Sequence, residues 1–208
     1  MSAALSAFDY IASIIPGALF LYGVSWLCPD WKIPFLQQTS GSAPQTPDLG
    51  GFGIFVIIAL ITGQLLEAIG RYVLERPLTK VGLVRQSSKI MCHTANKEGI
   101  GHKLGKNMAK MCESKDHLGL SAVLGEIISR ESKSSGHSRV ELFEDRYYMH
   151  LDLATAFLLL TVISVIWSPY SGAVTVLLAA ATALSLERAH HYDVLYANEL
   201  FRSFLQMD

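Results

Sequence analysis

The ionisable residues of this chain gather where its long apolar runs end. Asp9 precedes the first run, and Glu67 and Arg71 close the second. Arg146, His150 and Asp152 surround the start of the third, and Arg188 follows the fourth beside Glu187, His190 and His191. Charge close to hydrocarbon is costly unless it is paired or reached by water. Asp9, Glu67 or Asp152 is therefore expected to pair with Arg71, Arg146 or Arg188. Residues four apart share a helical face, so Gly63, Glu67 and Arg71 look one way, as do Arg146 and His150. Asp152 lies inside its apolar run and is expected to face protein instead of lipid. Such a layer serves either as a set of pairs that orient helices or as a charged mouth for a pore, a partner or a ligand.

Two other sets have side chains with chemical potential. Cys92, His93, His102, Cys112 and His117 are of types that bind zinc. None forms a CxxC or HxxxH pair, so no metal and no cofactor is expected. Arg130 and His137, with six residues between them, and Arg146 and His150 resemble the arginine–histidine motif of the HEPN nuclease superfamily. The first pair brackets a linker-like ESKSSG, and the second is one residue too close. There is no P-loop, dinucleotide fingerprint, nucleophile elbow or HExxH. A membrane-bound enzyme, HEPN-like ribonuclease or lipid hydrolase, with a His/Arg site at the cytoplasmic face is the alternative to a non-catalytic protein.

The elements that must carry these residues are long and apolar. The chain has 208 residues, 50% hydrophobic and only 17% charged, where soluble domains average about 25% charged. A helix crosses a bilayer with about 20 predominantly apolar residues. Four stretches qualify: residues 10–27, 50–68, 151–167 and the shorter 173–186. Pro16-Gly17 is expected to kink or loosen the first helix, and Pro77 to end the second. The third is expected to continue a helix that begins near Arg139. The fold class is all-α: a membrane protein with four transmembrane helices and a small cytoplasmic helical domain between helices two and three. The expected divisions are a hairpin at 1–76, the cytoplasmic domain at 77–145, a second hairpin at 146–187 and a C-terminal helix at 188–208. That last helix carries Tyr192, Leu195, Tyr196, Leu200, Phe201 and Phe204 at helical spacing.

Charge sets the orientation. Fourteen of the seventeen Lys and Arg residues fall between Arg71 and Arg146, whereas the loops at 28–49 and 168–172 hold one between them. By the positive-inside rule, both termini and the 77–145 segment face the cytoplasm. Three cysteines without framework spacing argue against a disulfide-stapled secreted protein, and the first run reads as a retained span. The bases of the central block are interleaved with acids, so direct nucleic-acid contact is not expected. Gly53, Gly63, Gly70, Ala179, Ala180, Ala181 and Ala183 allow close helix approach and assembly. Thr175, Thr182 and Ser185 make the fourth span the preferred pore-lining helix.

Phe8-Asp9-Tyr10 with Ile15-Pro16-Gly17, the exit Gly63-Gln64-Leu65-Leu66-Glu67 and the entry Arg146-Tyr147-Tyr148-Met149-His150-Leu151 resemble, with the layout of most of the chain, small polytopic membrane proteins of bacterial anti-phage defence. The likeness is to the membrane accessory of type VI-B CRISPR systems, which forms an oligomeric pore, and secondly to the membrane subunit of the Kiwa system. The resemblance implies a homo-oligomer of the bacterial inner membrane. It also implies a cytoplasmic defence protein as partner, one that itself can be a nucleic-acid binder. No catalytic residue is carried over. A passive membrane anchor for a soluble partner is the third reading.

Overall fold

The computed structural model describes residues 7–30, 49–81, 139–167 and 172–206. Among these every regular element is a helix. Helix α1 is Ala7–Leu27 and α2 is Leu49–Gly70. A π-helical turn, Arg71–Glu75, joins α2 to the short α3, Arg76–Val81. Helices α4, Arg139–Trp167, and α5, Gly172–Gln206, complete the order. Four helices are long and apolar enough to cross a membrane, over Tyr10–Leu27, Gly51–Lys80, Leu142–Trp167 and Gly172–Glu199. The 21 residues of α1 extend about 32 Å at 1.5 Å per residue, close to the ~30 Å hydrocarbon core.

The chain divides into two compact units: Met1–Pro77 with Tyr148–Ala189, and Leu78–Tyr147 with His190–Asp208. The expected cytoplasmic domain falls mainly at 82–138, outside the described residues, as do both loops that were to face the other side. The zinc-type residues and the Arg130/His137 pair fall there too.

Within the first unit α1 and α2 run antiparallel at backbone contact. A Cβ on Gly17 would overlap the Ala59 carbonyl, and one on Gly63 would overlap the Ser13 carbonyl. Two small-xxx-small pairs, Ser13 with Gly17 and Ala59 with Gly63, therefore interlock. Helix α4 covers this hairpin at two further glycines. Gly70 sits where a Cβ would lie 2.6 Å from Thr155 Oγ1, and Gly23 where one would lie 2.6 Å from Leu160 Cδ1. Val24, Leu27, Cys28 and Leu160 form a buried cluster, onto which Val174 and Leu178 of α5 pack. Cys28 is a free, buried thiol, and its N–H donates to the Val24 carbonyl at 2.8 Å, which finishes α1.

The outward surface is apolar instead. Ile11 and Ile15 on α1, Ile57, Ile61 and Leu65 on α2, Val165 and Ile166 on α4 and Leu177 on α5 are all exposed. A soluble monomer rarely shows so continuous an apolar surface. An all-helical segment whose backbone groups bond internally and whose outside is apolar meets the demands of lipid.

Helix α1 runs continuously through Pro16, which is fully buried. Two local expectations change. Pro77 does not end helical structure, because α3 contains it. The π-helical turn immediately before it supplies the wider register in which a missing N–H is tolerated. The fourth span and the C-terminal helix are one 35-residue helix, α5. Conversely, the continuity of the third span with a helix from Arg139 is as the sequence implied.

Candidate functional site

Arg71 is the centre of the ionisable layer. It forms an ion pair with Glu67, one turn earlier on the same face of α2. Its guanidinium carbon also lies 4.8 Å from the centre of the Tyr148 ring on α4. One cation thus joins an acid of its own helix to an aromatic face of another, and this ties the end of α2 to the start of the buried part of α4. Tyr148 and Asp152 are four apart, so the face that meets Arg71 continues directly to Asp152.

Asp152 is only 3% exposed. Its neighbours along the helix, Leu151, Ala154 and Ala156, are fully buried. The side chain feels the charges of Glu67 and Arg71. Its Oδ1 has no hydrogen-bond partner among the described residues. The sequence expectation that this acid faces protein instead of lipid agrees with that burial. The small residue that lets α2 come so close here is Gly70, which abuts Thr155, one turn beyond Leu151.

The π-helical turn explains a residue that sequence reasoning missed. The Arg76 N–H donates to the Arg71 carbonyl, five residues back. An extra residue in a turn rotates everything after it by about 100°. Glu75, four after Arg71, would share its face in a regular α-helix, yet Glu75 is 5% exposed while Arg71 is exposed. Arg76 in turn stands over the Tyr72 ring at 4.4 Å. The i, i+4 series Glu67, Arg71, Glu75 was a legible signal, but the change of register was not.

The other layer residues do not all join this cluster. Arg146 belongs to the second unit, where its guanidinium carbon lies 5.7 Å from the Tyr192 ring centre. His150 is half-buried, and Arg188 is exposed. The side chain of Asp9 lies outside the described residues. Of the seven residues, the structure brings together Glu67, Arg71 and Asp152. Tyr148, which was not singled out, is their common neighbour.

The hydroxyls of α5 behave unlike pore-lining groups in the single chain. Thr182 and Ser185 are each 8% exposed, inside the unit. Thr182 Oγ1 donates to the Leu178 carbonyl at 2.9 Å, and Thr175 shares a 2.8 Å hydrogen bond with Ser164 of α4. Thr155 and Thr161 likewise donate to carbonyls one turn back, at 2.9 and 2.7 Å. A hydroxyl in an apolar helix is satisfied on its own backbone or across a helix pair. In the single chain these hydroxyls are engaged within the unit, and the outward face of α5 carries Val176, Leu177, Ala180 and Leu184. Gly63 and Gly70 are likewise occupied within the chain and not open to a second copy. Gly53 has open space around it, and Ala179, Ala180 and Ala183 are exposed.

No protein-family model, no curated protein and no solved structure matches the chain.

Proposed function

We propose that this chain is a non-catalytic multi-pass protein of the bacterial inner membrane, an accessory or effector of an antiviral defence system. It assembles as a homo-oligomer, docks a cytoplasmic defence protein and permeabilises the membrane. The observation that carries this reading is the cluster of Glu67, Arg71, Tyr148 and buried Asp152 in a unit whose outer surface is largely apolar. Ionisable groups at membrane depth are costly, pair with one another and mark ion or proton pathways. Orientation follows from the lysines and arginines: both termini and the 77–145 segment face the cytoplasm. Assembly is supported by the exposed small residues Ala179, Ala180 and Ala183 of α5, which permit close approach of a second helix. The defence setting rests on the sequence resemblance. The mass of the detergent-solubilised protein tests assembly: a discrete multimer is expected, and a strict monomer in detergent and in nanodiscs contradicts it.

A further inference from the structure

Asp152, Glu67 and Arg71 together carry one net negative charge when all three are ionised. Arg71 is already committed to Glu67 by the ion pair and to Tyr148 by its position over the ring. Glu67 is about one-third exposed and Arg71 about half. Asp152 differs from them: it is 3% exposed, and Oδ1 has no hydrogen-bond partner among the described residues. Among the described residues the charged groups that act on it are Glu67 at the end of α2 and Arg71 in the π-helical turn that follows. An ionised oxygen buried without a donor is costly. The deficit in this cluster is one positive charge, delivered to a carboxylate oxygen.

The surroundings select what can deliver it. Leu151, Ala154 and Ala156 are fully buried, and Thr155 is occupied by the Leu151 carbonyl and by the close approach of Gly70. A metal cation needs several oxygen ligands, six to eight for calcium. A proton needs one lone pair and no added volume. We infer that Asp152 is a proton-binding carboxyl, held inside the helical unit, which takes up a proton from water on Oδ1 and releases it again. Uptake converts the cluster from one net negative charge to neutrality and turns Oδ1 into an O–H donor. The charged groups that lie partly exposed beside this carboxyl are Glu67 and Arg71. The inference rests on the membrane-spanning reading and on the charged cluster, not on permeation.

Infrared difference spectroscopy of the full chain in detergent, titrated with acid and base, tests the inference. Wild type is expected to show a protonated-carboxyl C=O band that forms and disappears reversibly. Asp152→Asn should lose one component of that band, seen in the wild-type-minus-variant difference, while helix content and oligomer size stay unchanged. A titration whose carboxyl bands are identical in wild type and Asp152→Asn overturns the inference. Should Asp152→Asn fail to fold, Asp152→Glu keeps the test open: its longer side chain should shift the band's frequency, and an unshifted band overturns the inference. A titrating band in a protein that passes no ions through liposomes would leave the proton site standing and remove permeation instead.

Discussion

At the scale of single residues, Arg71 and Asp152 are complementary. Arg71 is a cation with two neighbours, Glu67 and the Tyr148 ring, while Asp152 is an acid with a bare oxygen. A cation over an aromatic face at an exposed site contributes about 0.5–1 kcal/mol. Tyr148→Leu should therefore lower stability in detergent by about that amount. Tyr148→Phe, which keeps the ring, should lose less. Thermal unfolding followed by circular dichroism reads the difference, and equal losses in the two variants would show that the ring face is immaterial. Much of this cluster was legible in the sequence. Glu67 and Arg71 declared themselves by spacing, and Asp152 by lying inside an apolar run. The ring of Tyr148 could have been found by the same spacing rule, since it is four residues before Asp152. Arg146 could not be separated from Arg71 by sequence, because both are arginines beside an apolar run. Only the fold assigns Arg146 to Tyr192 in the other unit.

At the scale of elements, the spans are held by glycines at backbone contact. Ser13–Gly17 and Ala59–Gly63 interlock through main-chain atoms, which cannot rotate away as a side chain can. Gly63→Ala should thus force α1 and α2 apart. Overpacking of this kind typically costs about 1–3 kcal/mol. Gly53→Ala meets open space. It should be neutral or gain up to about 1 kcal/mol, since alanine is the better helix former. Detergent melting curves of the two variants check the contrast, and similar curves would refute the interlock. Sequence alone credited both glycines with assembly, because a small residue in an apolar helix reads alike whether its neighbour is the same chain or another. The inward turn of Thr175, Thr182 and Ser185 was hidden for a related reason: a hydroxyl bonded to its own helix bears no outward mark of the face it occupies. The π-helical turn at Arg71–Glu75 was equally illegible, because it has no residue signature beyond the proline two positions later.

At the scale of the whole molecule, the four spans stand out in sequence because lipid demands about 20 apolar residues at a stretch. That demand is stronger than any local propensity. Their outward faces are largely apolar, and Asp152, Thr155, Ser164, Thr182 and Ser185 are buried between them, which is the distribution a bilayer imposes. On the proposed function, the Glu67–Arg71–Asp152 cluster governs passage across the membrane. Dye-reported ion flux in liposomes holding the purified protein tests it most directly, comparing wild type, Arg71→Ala and Gly53→Ala at equal reconstitution. Flux in wild type and Gly53→Ala, reduced at least about tenfold in Arg71→Ala, is the predicted result; tenfold corresponds to about 1.4 kcal/mol. Equal flux in all three, or none in any with the oligomer intact, would contradict it.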